Sequence, residues 1–236
     1  MVCKEMSSPA FKIKPLKEAR SSPTNYNKNL PQPLEGNFRI GVFGQSGSGK
    51  TVALLNMLIY GFRKHFKKIV IFSFNISQFK KHFSKLMTKH DVMFEQYDEK
   101  TLKHHFDKQV ARNRKRPKRV TPLLLVFDDM LSVVQKSPLF KEIMLVGRKE
   151  HVSIVYTAHK MAGQTDMLVR QNTTHFVVLS TTDMELRLLG QTLSIPGQDL
   201  IDAWHSSGAK EKFSFLHIIT NPASVFFEFS GKKLLG

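Results

Sequence analysis

Residues 37–51 of the chain read NFRIGVFGQSGSGKT. The apolar run 38–43 predicts a buried strand, and the apolar spacing after Thr51 predicts a helix. Between them, Gly44 to Thr51 fit the Walker A pattern Gly-x-x-x-x-Gly-Lys-Thr. A chance glycine-rich turn is the alternative, but a strand before and a helix after are the context that this phosphate-binding loop requires.

The chemistry of the loop explains its spacing. Glycines permit backbone conformations in which successive N–H groups point at phosphate oxygens, and the helix N-terminus adds partial positive charge. Lys50 is predicted to reach the β- and γ-phosphates of ATP, and the Thr51 hydroxyl to bind Mg²⁺. The predicted nucleotide-binding residues are Gly44, Gln45, Ser46, Gly47, Ser48, Gly49, Lys50 and Thr51.

A second motif ends in two carboxylates. The apolar run 122–127 predicts a buried strand, and Asp128 and Asp129 follow it in the Walker B form. We expect Asp128 to hold the Mg²⁺ shell and Asp129 to accept a proton from the attacking water. Many such ATPases have Glu as the second acid, and a structural role of Asp129 as a helix cap is the alternative.

Further candidates surround the predicted strand 152–157. Thr157 and His159 stand at its end, where a polar side chain orients the attacking water; a solvated strand end is the alternative. Arg148, before the strand, and Arg170, after the next loop, are candidates for a finger that stabilises the transition state of a neighbouring subunit. For either arginine alone, a surface role is the alternative in so basic a chain.

From residue 37 onward, short apolar strands alternate with helical segments, which predicts an α/β fold with a mainly parallel sheet flanked by helices. Runs 213–219 and 224–229, joined by Thr-Asn-Pro-Ala, predict a C-terminal β-hairpin. An extra strand, 68–74, lies between the two motifs and indicates a RecA-like P-loop NTPase core. The predicted parallel strands are 38–43, 68–74, 122–127, 152–157 and 174–180, and the predicted helices are 50–64, 77–88, 99–112, 131–149 and 182–192.

Composition divides the chain into two parts. Residues 1–36 are rich in Pro, Ser and Asn and predict a flexible N-terminal arm, whereas residues 37–236 are predicted to form the P-loop ATPase domain. The single cysteine, Cys3, excludes an intrachain disulfide, which fits a reducing compartment. No apolar run approaches the ~20 residues of a transmembrane helix, so we expect no membrane span.

The chain is strongly basic, with 36 Lys and Arg against 19 Asp and Glu and a net charge of +17. Such a charge makes nucleic acid the first partner to consider. Residues 108–119 include seven basic side chains and no acid, and we expect them to contact DNA phosphates without reading sequence. A nuclear-localisation patch and a solvated loop are the alternatives. The DNA-binding candidates are Arg112, Arg114, Lys115, Arg116, Lys118 and Arg119.

Four stretches, GQSGSGKT, LLLVFDD, GRKEHVSIVYTAH and LVRQN, resemble the poxvirus-type genome-packaging ATPases of the FtsK–HerA superfamily. Relatives of this kind occur in large DNA viruses of eukaryotes, virophages and Polinton-like elements. The resemblance covers about residues 37–230. The family usually has Gln at the end of its fourth strand, where this chain has His159, and this difference leaves Thr157 as a second candidate for orienting water.

The resemblance implies a ring of five or six subunits that uses ATP to move double-stranded DNA into a preformed capsid, at the capsid or portal vertex. It implies a place inside the infected host, in the virus factory, cytoplasm or nucleus, or an association with the virion. Two other functions stay open: a nucleotide-switched assembly protein with little turnover, and a replicative DNA helicase. Stimulation of ATP hydrolysis by DNA would separate the first of these from a packaging motor.

Overall fold

The computed structural model contains one mixed β-sheet with helices packed on both faces. It describes residues 37–116, 121–161, 164–209, 211, 214–220, 223–227 and 232–235. The predicted arm, residues 1–36, lies outside these ranges. The described strands are β1 Arg39–Phe43, β2 Lys68–Ser73, β3 Val92–Phe94, β4 Leu123–Asp128, β5 Val152–Ala158, β6 His175–Val178, β7 Leu216–Thr220, β8 Ala223–Phe227 and β9 Lys232–Leu235.

The strands are ordered β3-β2-β4-β5-β1-β6-β7-β8-β9 across the sheet. The first six are parallel to one another, and β7, β8 and β9 continue the sheet in antiparallel pairing. This arrangement confirms the predicted parallel core and the C-terminal hairpin, which is β7 and β8. The sequence interpretation missed β3, a three-residue strand, and β9, which pairs with the hairpin.

Strand β5 lies between β1, which leads into the phosphate loop, and β4, which ends in Asp128. The sequence analysis took strand 68–74, which is β2, as the extra strand of a RecA-like core. In the structure β2 pairs with β4 on the side that faces away from β5. Chain order does not reveal this because a crossover connection places β5 between two strands that precede it in sequence. As a result, the end of β5 lies between the two predicted motifs.

The described helices are α1 Lys50–Asn56, α2 Ile76–Phe83, α3 Glu99–Lys115, α4 Leu131–Val134, α5 Pro138–Val146, α6 Met167–Asn172, α7 Asp183–Leu193 and α8 Gly197–Ser206. A π-helical turn, Met57–Phe62, extends α1. The predicted helix 131–149 is wrong as a single element, because Ser137 caps a new helix that begins at Pro138. Proline lacks an N–H group, so it suits only the first turn of a helix.

Both faces of the parallel strands are buried. In β4, Leu123, Leu125 and Phe127 pack on the face covered by α3 and α5, whereas Leu124 and Val126 pack on the face covered by α1 and α2. Burial on both faces explains why the strand reads as a continuous apolar run rather than an alternating one. None of the helices within the described ranges has the length and apolar content required to cross a bilayer.

Arg39, the first residue of β1, is completely buried. Its guanidinium donates to the carbonyl oxygens of Ile143 at 3.0 Å and Met144 at 3.3 Å, near the C-terminus of α5, and to that of Val152 at 2.9 Å. Burial, and then repulsion from Arg148, lowers the pKa of Arg39 to about 9. The partial negative charge of a helix C-terminus compensates for part of the cost of burying this cation.

Candidate functional site

The predicted phosphate loop connects β1 to α1 in the way that its pattern requires. Gly47 and Gly49 have φ angles of 78° and 95°, a left-handed region that side chains with a Cβ atom rarely adopt. The backbone N–H of Gly44 donates to the carbonyl of Ala158 at 3.2 Å, which attaches the loop to the end of β5. The loop therefore lies at the carboxyl edge of the parallel strands, where open α/β sheets bind ligands.

Lys50 lies beneath this loop and is mostly buried. Its ammonium donates to the carbonyl oxygens of Gly44 at 2.9 Å and Gln45 at 3.1 Å. Burial lowers the pKa of Lys50, while the nearby charges of Asp129 and Asp128 oppose that shift. The cation is thus placed at the loop and near both predicted carboxylates.

Asp128 is fully buried at the end of β4 and is surrounded by hydroxyl groups. It accepts hydrogen bonds from Ser73 at 3.0 Å, Thr157 at 3.1 Å and Thr51 at 3.3 Å. Burial, and then repulsion from Asp129, raises its pKa to about 6, and these three hydrogen bonds act in the opposite direction. Ser73, at the end of β2, is a site residue that the sequence interpretation missed because its partner lies 55 positions away.

Asp129 has a left-handed backbone, with φ of 55°. Its N–H donates to the Thr157 hydroxyl at 2.8 Å. Helix α4 begins after Met130 without any side-chain cap, so Asp129 does not serve as the helix cap that was the structural alternative. The Asp129 side chain is 32% exposed, in contrast to the buried Asp128. An unusual backbone conformation beside a buried carboxylate is typical of functional sites.

His159 lies between Lys50 and Asp129. Its Nδ1 atom is 3.2 Å from the Lys50 ammonium, and its Nε2 atom is 3.8 Å from Asp129 Oδ1. Because an ammonium group can only donate, Nδ1 is the acceptor, which places the proton of a neutral imidazole on Nε2, facing Asp129. Thr157 and His159, the two candidates for orienting water, therefore both contact the groups around Asp129.

A cleft of about 550 Å³ adjoins the phosphate loop on the β6 side. Its walls include side chains from α7 and α8 that the sequence interpretation did not assign to a site. These are Asp183 and His205, whose Oδ1 and Nε2 atoms lie 3.0 Å apart, and Trp204. Helix α8 carried no motif, and this is why its contribution was missed.

The two candidate finger arginines lie toward the amino-terminal ends of the parallel strands, at the end of the sheet opposite to the phosphate loop. Arg148 precedes β5, and its carbonyl accepts from Asn37, just before β1. Its side chain donates to the carbonyl of Asn172 at 3.2 Å, two residues after Arg170. Strand β5 separates this edge from the phosphate loop by about 20 Å, farther than an arginine side chain reaches. Arg148 can therefore not contact a nucleotide held by its own phosphate loop.

The Nε atom of Arg170 is buried and has no hydrogen-bond partner among the described residues. The predicted DNA-binding residues Arg112, Arg114, Lys115 and Arg116 lie at the C-terminal end of α3, on the same edge of the sheet as the arginines. Lys118 and Arg119 lie outside the described residues.

A family model described as Poxvirus A32 protein matches residues 26–230. The chain belongs to this family. Its membership confirms the resemblance to poxvirus-type genome-packaging ATPases of the FtsK–HerA superfamily and identifies the chain as a viral DNA-packaging ATPase. Among curated proteins, no sequence matches this A32-family chain significantly.

Solved structures share the fold of this A32-family member at low sequence identity. The genome packaging NTPase B204 from Sulfolobus turreted icosahedral virus 2, in complex with AMP, is 13% identical with a TM-score of 0.61, covering 81% of this chain and 96% of that chain. Its complex with sulfate is 15% identical with a TM-score of 0.61, covering 83% and 97%. The monomer form of the pCW3 conjugation coupling protein TcpA with ATPγS is 13% identical with a TM-score of 0.55, covering 83% and 61%.

Proposed function

We propose that this chain is the motor subunit of a ring of five or six copies that hydrolyses ATP to move viral double-stranded DNA into a preformed capsid. The observation that carries the proposal is the meeting of Lys50, Asp128, Asp129 and His159 at one edge of the sheet. A site that binds nucleotide without hydrolysing it needs no more than a phosphate loop. A second, partly exposed carboxylate beside a water-orienting side chain favours hydrolysis.

The roles follow from the contacts. Backbone N–H groups of Gly44 to Thr51 hold the phosphates of ATP, and Lys50 neutralises them. Asp129 accepts the proton of the attacking water, since it is the more exposed carboxylate. The Thr157 hydroxyl holds Asp129 in place by accepting the Asp129 backbone N–H. His159 directs its Nε2–H toward the Asp129 carboxylate. The ribose and base extend into the cleft beside Trp204.

The oxygen atoms around Asp128 fit a magnesium ion. A buried carboxylate with the Thr51 and Ser73 hydroxyls beside it is a hard-oxygen donor set, and Mg²⁺ is bound in such sites by one or two carboxylates together with substrate phosphates. Asp128 and Thr51 would hold the ion. When bound, it neutralises charge that develops on the phosphates.

Hydrolysis is shared between subunits. Because Arg148 lies at the end of the sheet opposite to the phosphate loop, it can act only on the nucleotide of a neighbouring copy, and Arg170 is the second candidate for this role. The chain acts inside the infected host, in the virus factory, cytoplasm or nucleus, or with the virion, and the capsid or portal vertex receives the DNA.

The test is the rate of ATP hydrolysis with and without duplex DNA, measured for the wild type and for Lys50→Ala as the background control. A packaging motor should hydrolyse ATP faster when DNA is present. If DNA does not change the wild-type rate of ATP hydrolysis, the result would contradict a packaging motor and favour the nucleotide-switched assembly protein. Unwinding of a forked duplex would instead identify a helicase.

A further inference from the structure

A basic groove runs between α3, the start of β2 and the turn before β3, on the edge of the sheet opposite to the phosphate loop. Its volume is about 640 Å³. No carboxylate is among the residues that line it within the described part of the chain. The lining cations are Lys67, Lys108, Arg112, Lys115 and Arg116, with His90 on the opposite wall.

Helical spacing places three of these cations in one row. Lys108, Arg112 and Lys115 follow one another at four and three residues, so they share a face of α3, and Ala111 leaves space beside them. Arg114 is on a different face of the same helix. Two helical turns separate Lys108 from Lys115, a row about 10 Å long.

Behind the groove, the Lys68 side chain has no carboxylate among its hydrogen-bond partners in the described part of the chain. The Lys68 ammonium donates to His105 Nδ1 at 2.8 Å, a neutral acceptor rather than a carboxylate. Asp91 is the nearby acid, but it already accepts from Arg63 and from the N–H groups of Ile69 and Thr88. Burial lowers the pKa of His105 to about 4, and the charges of Lys68, His104 and Lys108 act in the same direction.

The dipole of α3 explains only part of this cluster. Cations near a helix C-terminus are favourable, but the effect is confined to the last turn. It accounts for Arg112 and Lys115, which lie in that turn, and not for Lys67, Lys108 or His90. The mutual repulsion of the remaining cations is a cost that a bound polyanion removes.

We propose that this groove binds consecutive phosphates of a nucleic-acid backbone, with Lys67 and the Lys108–Arg112–Lys115 row as the contacting cations. The row is longer than one phosphate group, so its cations can contact consecutive phosphates of one strand. The assignment rests on the proposed function, which supplies DNA as the ligand. Among the DNA-binding candidates that the structure describes, it separates Arg112, Lys115 and Arg116, which line the groove, from Arg114, which does not.

The experiment measures binding of a fluorescent duplex by anisotropy at several salt concentrations. The groove variant is Lys67→Gln/Lys108→Gln/Lys115→Gln, and the matched control is Lys81→Gln/Lys85→Gln/Arg114→Gln. Each triple removes three positive charges from exposed positions, so net charge changes equally. Each lost phosphate contact lowers the slope of log K against log salt by about 0.9. We expect the groove variant to lose about 3 units of slope and to bind roughly 10-fold or more weakly.

The control should keep the wild-type slope. Equal slopes for the two triples would overturn the groove as the binding site. Pyrophosphate tests whether the groove binds a small phosphate anion instead of a nucleic-acid backbone. If pyrophosphate displaces the duplex at an equal concentration of phosphate groups, the groove is a small-anion site and the backbone assignment is overturned. ATP hydrolysis by the wild type with and without DNA tests the proposed motor separately, because a motor stimulated by DNA can coexist with a groove that contributes nothing.

Discussion

The hydroxyl group of Thr157 accepts the backbone N–H of Asp129 at 2.8 Å, and its own hydrogen faces Asp128 Oδ1 at 3.1 Å. One side chain at the end of β5 therefore connects the two consecutive carboxylates that follow from β4. This contact is available only because β5 lies beside β4 in the sheet.

Thr157→Val keeps the branched shape and removes the hydroxyl. It leaves the Asp129 N–H without its acceptor, a loss that costs about 1–3 kcal/mol for a buried group. We expect kcat to fall about 10-fold or more with little change in KM, because the affected group is the proposed base. Thr157→Ser, which keeps the hydroxyl, should stay near the wild-type kcat. A Val variant with wild-type turnover would contradict this role.

Lys50→Ala should abolish ATP turnover and leave the fold intact. The ammonium contacts the loop carbonyls of Gly44 and Gln45 and the His159 ring, all of them at the phosphate site. Steady-state ATP hydrolysis together with thermal unfolding checks both parts of the prediction. Turnover at the wild-type rate would show that the loop does not engage the phosphates as proposed.

Asp129→Asn should bind ATP with nearly wild-type affinity and hydrolyse it about 10²-fold more slowly, because an amide cannot accept the proton of the attacking water. Nucleotide affinity from a fluorescent ATP analogue and single-turnover hydrolysis separate the two effects. An Asn variant that hydrolyses ATP normally would require another base, for which His159, 3.8 Å from Asp129, is the nearest candidate.

Arg148→Ala and Arg170→Ala test the shared site. If one of these arginines acts in trans, a mixture of its variant with Lys50→Ala subunits can regain activity at interfaces that pair an intact loop with an intact finger. We expect this rescue for the arginine that acts in trans, measured as ATP hydrolysis against mixing ratio. Failure of both variants to be rescued, with assembly preserved, would argue against a finger at either position.

The buried pair His175 and His217 predicts acid sensitivity. Their ring nitrogens lie 3.1 Å apart, and burial lowers the pKa of His175 to about 4 and that of His217 well below its usual value. Both rings are neutral in the folded chain, so the unfolded chain takes up protons more readily. The stability they contribute is present above pH 6.5 and is lost as the pH falls from 6.5 toward 4.

For His175 alone, this loss is about 3 kcal/mol. Urea unfolding at pH 7.5, 6.0 and 5.0 measures the part of this loss that occurs above pH 5, and the His175→Phe variant should show a smaller decrease in the free energy of unfolding across this range. Identical pH profiles for the variant and the wild type would show that His175 does not titrate with unfolding.

The sequence predicted those parts of the site whose functional residues must lie close together along the chain. The phosphate loop needs its glycines, Lys50 and Thr51 within eight positions, and Asp128 needs a buried strand directly before it. Ser73 and Trp204 could not be assigned in this way, because they reach the site from β2 and α8 through the order of strands and helices in space.

The elements that sequence reasoning missed are short or interrupted. Strand β3 is an apolar run of only three residues, none of them fully buried, and so short a run does not distinguish a strand from a loop. Helix α8 begins at Gly197 directly after Pro196, a pair that on sequence alone indicates a turn. The position of β5 depends on a crossover, which local pattern does not encode.

Through Arg39, strand β1 connects the end of α5 with the phosphate loop. Its guanidinium fastens the start of the strand to the helix that leads to Arg148, and five residues later the same strand becomes the phosphate loop. In a ring where the arginine edge of one copy faces the loop of the next, a displacement at one nucleotide would travel along this strand to its neighbour. The coupling between neighbouring sites would then depend on a buried arginine that touches no phosphate and on its hydrogen bonds to three carbonyl groups.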